Sequence, residues 1–186
     1  MRRALLVFTA LAINSFNLAM AETWVIDPDS RSLTFSFDSP AGFVDAEIQN
    51  FEADITFDPN DLGNALVLAT IFTRSFIASE AEVSIRVQKP DFFDTVSHGK
   101  AYFVGQNFRA LGGNRYFADG FLQIRDQVSP FGFEFELDID GDQAAFSAEF
   151  PLNRLTAGLG NEKFPDNREL TVDIPIKLSF TAQASN

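Results

Sequence analysis

The residues most able to do chemistry are a run of acids late in the chain. Asp138, Asp140 and Asp142, with Glu149 eleven positions after Asp138, follow much of the spacing of a calcium-binding loop. Such a loop needs glycine at its sixth position, where this chain has Gln143. Ala144 to Phe150 already alternates like a strand, so Asp140-Gly141 reads as a hairpin turn and no ion is expected. Ser97-His98 sets a hydroxyl beside an imidazole, the raw material of nucleophilic catalysis. No G-x-S-x-G elbow holds that pair, and His98 is the only histidine. The absence of Cys leaves no thiolate nucleophile, and a single His excludes a multi-histidine metal centre. Arg154 shares the parity of Phe146, Ala148, Phe150 and Leu152, which points it inward at the end of an apolar face. A buried guanidinium must meet either a carboxylate in a rim salt bridge or a polar ligand atom. Nothing here marks a catalytic set, and the chain is expected not to be an enzyme.

The elements that would position Arg154 are strands, and phenylalanine dominates them. The 186 residues include 22 Phe against 2 Tyr and 1 Trp. Phe131, Phe133, Phe135 and Leu137 alternate with Gly132, Glu134, Glu136 and Asp138, which places rings on one face and carboxylates on the other. The same period of two runs through Leu33 to Phe37, Phe51 to Phe57, Val67 to Ile71, Ala101 to Gly105, Tyr116 to Ile124, Ala144 to Leu152 and Val172 to Phe180. Asp58-Pro59-Asn60-Asp61, Gly112-Gly113-Asn114 and Asp140-Gly141 supply turns. One stretch breaks the pattern: Ser79 to Lys89, with a Ser79/Glu82 capping box and Val83 and Val87 at helical spacing, predicts a helix that Pro90 ends. About eight short strands with one helical insertion predict an antiparallel sandwich or barrel.

The first 21 residues read as a cleaved signal peptide, from Arg2-Arg3 through an apolar run at Ala4 to Ile13 to Ala19-Met20-Ala21. Residues 22–186 then form a single domain with 12 bases against 26 acids, a formal charge of −14. Such a chain is repelled by nucleic acid and by anionic lipid headgroups, so no nucleic-acid partner is expected. The basic leader predicts bacterial export to the periplasm.

Several strings in order resemble the YceI-like family of exported lipid-binding proteins. They are Trp24-Val25-Ile26-Asp27 with Ser32 to Phe35, Phe51 to Pro59, and Pro90-Asp91-Phe92-Phe93-Asp94. Tyr116 with Gly120-Phe121-Leu122, and Asn153-Arg154 with Gly158-Leu159-Gly160, complete the set. The resemblance implies an eight-stranded antiparallel lipocalin-like barrel whose apolar pore holds a polyisoprenoid chain such as a quinone tail, with no catalytic residues. It also implies a periplasmic carrier, with a membrane cytochrome of the b561 type as a transient partner, and it leaves a homodimer open. No separate cofactor is expected beside a bound isoprenoid lipid or quinone. Departures from the family pattern, Arg31 before Ser32 among them, bear on the headgroup end of a ligand rather than on the fold.

By parity Val67, Ile71, Phe103, Leu122, Phe131, Phe133, Phe135, Phe146, Val172 and Ile176 are predicted to line the pore, with Arg154 at its mouth. Small residues on the same faces (Ala69, Ala101, Gly105, Ala118, Gly120, Ala144, Ala148) are expected to leave room between the rings. An eight-stranded barrel can equally be filled by its own side chains, in which case it would act as a protein-interaction or stress-response module.

Overall fold

The computed structural model describes residues 22–185, so the predicted leader lies outside the described residues. Eleven strand segments form one sheet: β1 (Thr23–Ile26), β2 (Ser32–Ser39), β3 (Gly42–Ile48), β4 (Phe51–Thr56), β5 (Leu66–Ile71), β6 (Phe76–Ala78), β7 (Ala101–Gly112), β8 (Arg115–Ile124), β9 (Gln127–Asp140), β10 (Gln143–Asn153) and β11 (Asp173–Ser185). The pairing shows why eleven segments make eight strands. β1 and β2 both pair with β11, β4 and β3 pair with β1 and β2, and β5 and β6 pair with β4 and β3. Each of these couples is therefore one long strand interrupted once. With β7 to β11 they give the predicted closed, antiparallel, eight-stranded barrel.

The three interruptions sit side by side and are tied together. Arg31 donates from Nη1 to Asn50 Oδ1 (3.1 Å) and to the Phe51 carbonyl. The Asn50 amide donates to Ser75 Oγ (3.0 Å), and Ser75 Oγ donates to the Phe72 carbonyl (2.7 Å). Polar side chains thus take over hydrogen bonds that the ladder loses at the bend. Arg31, the departure from the family pattern, is part of this seam.

The helix is shorter than the sequence predicts. α1 spans Ala81–Arg86 with Glu80 at its N-cap and no side-chain cap. Ser79, predicted to cap it, is instead held by β3: its amide donates to the Asp45 carbonyl (2.7 Å) and its hydroxyl accepts from the Asp45 amide (3.3 Å). The Asp140-Gly141 turn is a hairpin as predicted, with Gly141 at φ 61°. Glu149 lies well along β10, where it pairs with Lys177 at 3.0 Å.

Two of the small residues expected to leave space do the opposite. A Cβ on Gly120 would lie 1.9 Å from the Val104 carbonyl oxygen, because β7 and β8 approach closely beside the irregularity at Gly105–Asn107. A Cβ on Gly105 would meet the Phe103 and Phe108 rings at 3.0 and 3.1 Å, so those rings already occupy the space.

Candidate functional site

The inward rings do not fill the barrel. An inner cavity of about 200 Å³ lies among Phe103, Phe131, Phe133, Phe146, Phe150 and Phe180, with Ala69, Ala101, Ala118 and Ala144 between them. The rings stand in face-to-face pairs, Phe133 with Phe150 at 4.4 Å and Phe146 with Phe180 at 4.6 Å. Thr73 is the one polar side chain in the lining, and its hydroxyl is engaged by the His98 carbonyl at 3.3 Å. A cavity so lined favours an apolar occupant.

One end of this cavity is closed by an aromatic floor. Phe57 makes edge contacts with Phe108 (5.5 Å), Tyr116 (5.4 Å) and Phe135 (6.1 Å), and Trp24 Nε1 donates to the Phe57 carbonyl at 2.9 Å. Beside the inner cavity lies a second one of about 320 Å³, a vestibule, which shares Phe35, Phe93 and Leu152 with it. Charged side chains enter its lining: Glu82 and Arg86 on α1, and Lys163 and Glu169 on the loop between β10 and β11. The inner cavity is thus almost wholly apolar and the vestibule beside it amphipathic.

Arg154 organises the roof over the vestibule. It is 2 % exposed and points inward as its parity predicts, and it forms no salt bridge among the described residues. Its Nε donates to the Thr171 carbonyl (2.9 Å) and Nη1 to Leu159 (3.1 Å). Nη2 donates to Asp166 (2.9 Å) and Leu170 (3.1 Å). These bonds fold the 155–172 loop around one guanidinium. Burial works against its charge and lowers its pKa, with Asp166 acting in the opposite direction. Asp166 itself is held below the usual carboxylate range, chiefly by the Arg168 backbone amide and then by the Arg168 side chain. From the β8–β9 turn, Arg125 donates to the Pro90 carbonyl (2.6 Å) and to that of Gly158, so it latches the segment after α1 to the loop. The Gly160 amide adds a bond to the Asp91 carbonyl (2.6 Å).

A match to the YceI-like domain covers residues 24–184. This chain belongs to the YceI-like domain family. Solved structures with the same fold include BcnA of Burkholderia cenocepacia, 21% identical, covering 85% of this chain and 99% of that one with a TM-score of 0.78. The Campylobacter jejuni YceI protein is 15% identical over 100% of both chains, with a TM-score of 0.66. A polyisoprenoid binding domain from Saccharophagus degradans, implicated in plant cell wall breakdown, is 11% identical, covering 89% of this chain and 99% of that one with a TM-score of 0.66. No curated protein matches.

Within this YceI-like barrel, Val67, Ile71, Phe103, Leu122, Phe131, Phe133, Phe135, Phe146 and Ile176 all line the inner cavity. Val172 does not. It precedes β11 in the roof loop, where its carbonyl accepts from the Arg154 amide (2.9 Å) and its amide donates to Asn167 Oδ1 (2.7 Å). The inward parity of β11 begins with Ile174, which lines the vestibule. Arg154 lines the vestibule rather than the inner cavity, with its guanidinium donating to carbonyls of the roof loop. The prediction omitted Phe150 and Phe180, although both share the parity of residues it included. Phe93, which joins the two chambers, lies in a turn where no periodicity could reveal it. His98 Nε2 lies 3.7 Å from the exposed Asp126 carboxylate.

Proposed function

We propose that this protein binds an isoprenoid lipid, such as a quinone, and carries or sequesters it in the bacterial periplasm. The observation that carries the reading is the inner cavity, whose lining has one polar side chain with its hydroxyl already engaged. The tail would occupy that cavity and a polar head the amphipathic vestibule. Burying an isoprenoid contributes up to ~0.8 kcal/mol per carbon-sized group, so two or three units support micromolar affinity. A solved structure of the same fold is described as a polyisoprenoid binding domain, which favours this class of cargo. The arrangement suits binding rather than catalysis. The periplasmic location rests on the leader, and a membrane cytochrome is the proposed exchange partner.

Organic extraction of protein purified from its host, followed by mass spectrometry, tests the reading. A stoichiometric polyprenyl species is expected. A clean extract from folded protein that also refuses added quinone would instead identify a barrel that works through protein contacts. Phe133→Glu, which introduces a carboxylate among the stacked rings, is expected to abolish quinone binding, measured by titration on protein shown to be folded by circular dichroism. Full binding by the folded variant would remove Phe133 from the site.

A further inference from the structure

The two cavities are small for a lipid. An apolar cavity of ~150 Å³ takes one benzene ring, so the inner cavity of about 200 Å³ has room for about eight carbon atoms. That is fewer than about two isoprene units. The vestibule of about 320 Å³ adds space for roughly thirteen more carbons, and both together would hold a tail of about four units. The glycines between the rings hide no further room. A Cβ on Gly105 would meet the Phe103 and Phe108 rings at 3.0 and 3.1 Å, and one on Gly120 would meet the β7 backbone.

The floor gives no way out for a longer chain. Phe57, Phe108 and Phe135 all line the inner cavity there, so a chain growing past them must displace a ring. Phe57 is 3% exposed and follows directly on β4, where both of its backbone polar groups are taken. Its amide donates to the Glu22 carbonyl (2.9 Å), and its carbonyl accepts from Trp24 Nε1 (2.9 Å). Phe108 meets Phe135 edge to face at 6.3 Å, and Tyr116, which does not line the cavity, stacks on Phe135 at 5.4 Å. Rings fixed by backbone hydrogen bonds and close packing do not swing aside as a gate does.

We propose that the barrel selects short prenyl chains, of about two to four isoprene units, and that the Phe57 and Phe108 rings are the stop that sets the limit. This rests on the isoprenoid-binding reading and narrows its cargo. A tail of about two units fills the inner cavity and leaves the vestibule to a ring-sized head. A tail of about eight units finds room for only half of itself, and the rest stays exposed to water. The ring that Phe57→Ala removes has about the bulk of one isoprene unit, so that variant should accept a chain about one unit longer.

Loading from a mixture tests the limit. Purified protein is equilibrated with detergent micelles that hold equal amounts of the ubiquinones from ubiquinone-1 to ubiquinone-8, then separated and extracted for mass spectrometry. These species share one head, so differences in loading report the tail alone. Loading is expected to fall about tenfold or more beyond ubiquinone-4, because units that cannot enter stay in water. In Phe57→Ala the fall should come about one unit later. Phe108 is half-buried, so Phe108→Ala costs the fold less and gives the same reading if Phe57→Ala does not fold, as judged by circular dichroism. Even loading across the series overturns the length limit and leaves isoprenoid binding standing. A fall at the same length in the original protein and in the folded variants overturns the aromatic stop. Folded protein that takes up no member of the series overturns both the limit and the reading beneath it.

Discussion

At the floor of the barrel Phe57 meets Phe108, Tyr116 and Phe135 ring against ring, whereas at the roof Arg154 meets carbonyls of the loop that it gathers. The floor is made of strand residues whose side chains carry the contact. The roof is made of irregular backbone whose polar groups would otherwise be buried without partners. Ring packing tolerates partial loss, because neighbours can shift into a vacancy. A carbonyl cage does not, because each orphaned acceptor keeps its full desolvation cost. The same barrel is therefore sealed in two ways, one gradual in its response to damage and one abrupt.

The largest effect is expected at the roof. Arg154→Met should destabilise the protein by on the order of 4 kcal/mol, read from the urea midpoint, because it strands several buried carbonyls at once. Arg154→Lys should recover less than half of this, since an ammonium cannot reproduce the guanidinium fork. Full recovery by lysine would mean that charge, and not geometry, holds the loop. At the floor, Phe57→Ala should cost about 3 kcal/mol by the same measurement, because it opens a void in the ring cluster that lines the cavity. If that variant costs as much as Arg154→Met, the contrast between the two ends fails.

Arg125→Ala should cost about 2 kcal/mol and act locally. Hydrogen exchange at the Gly160 amide should quicken more than at amides of the floor strands. Uniform quickening would show that the roof and floor open as one unit. The smallest effect concerns Asp166, whose folded pKa lies below its ordinary value of 3.8. A depressed carboxylate contributes stability that is complete above the unfolded pKa and is lost as pH falls through the folded one. An NMR titration of the Asp166 carboxyl should therefore give a midpoint under 3.8, and Asp166→Asn should flatten the pH dependence only in that acid range. A midpoint at or above 3.8 would remove Arg168 as its partner.

The inward faces of the strands were legible in the sequence because side-chain alternation encodes them, whereas parity left a hollow and a filled barrel equally open. Phe131, Phe133 and Phe135 announce their inward face by parity alone, and the barrel follows from the repetition of that pattern. The roof was legible only in part. Parity turned Arg154 inward, but its partners are backbone carbonyls, which every residue has and no residue type marks. Val172 was misplaced for a related reason: parity extends backwards without limit, while the strand begins only at Asp173. The helix start was misread because Ser79 had two places for its hydroxyl, and the sheet, through Asp45, took it. The seam through Arg31, Asn50 and Ser75 depends on three distant segments meeting at one level, which no local pattern contains.

The pairing of β11 with both β1 and β2 has a consequence for how the molecule comes to be. Its register joins Thr23 to Ser185 across almost the whole chain, so the last strand to be synthesised is the one that closes the barrel. Until it arrives, the sheet is an open ribbon with two bare edges and a Phe-rich inner face in water. Such a topology has a high mean sequence separation between contacting residues and belongs to the slow class, folding in milliseconds to seconds. The interval before closure is the time when this chain most needs protection from its own copies.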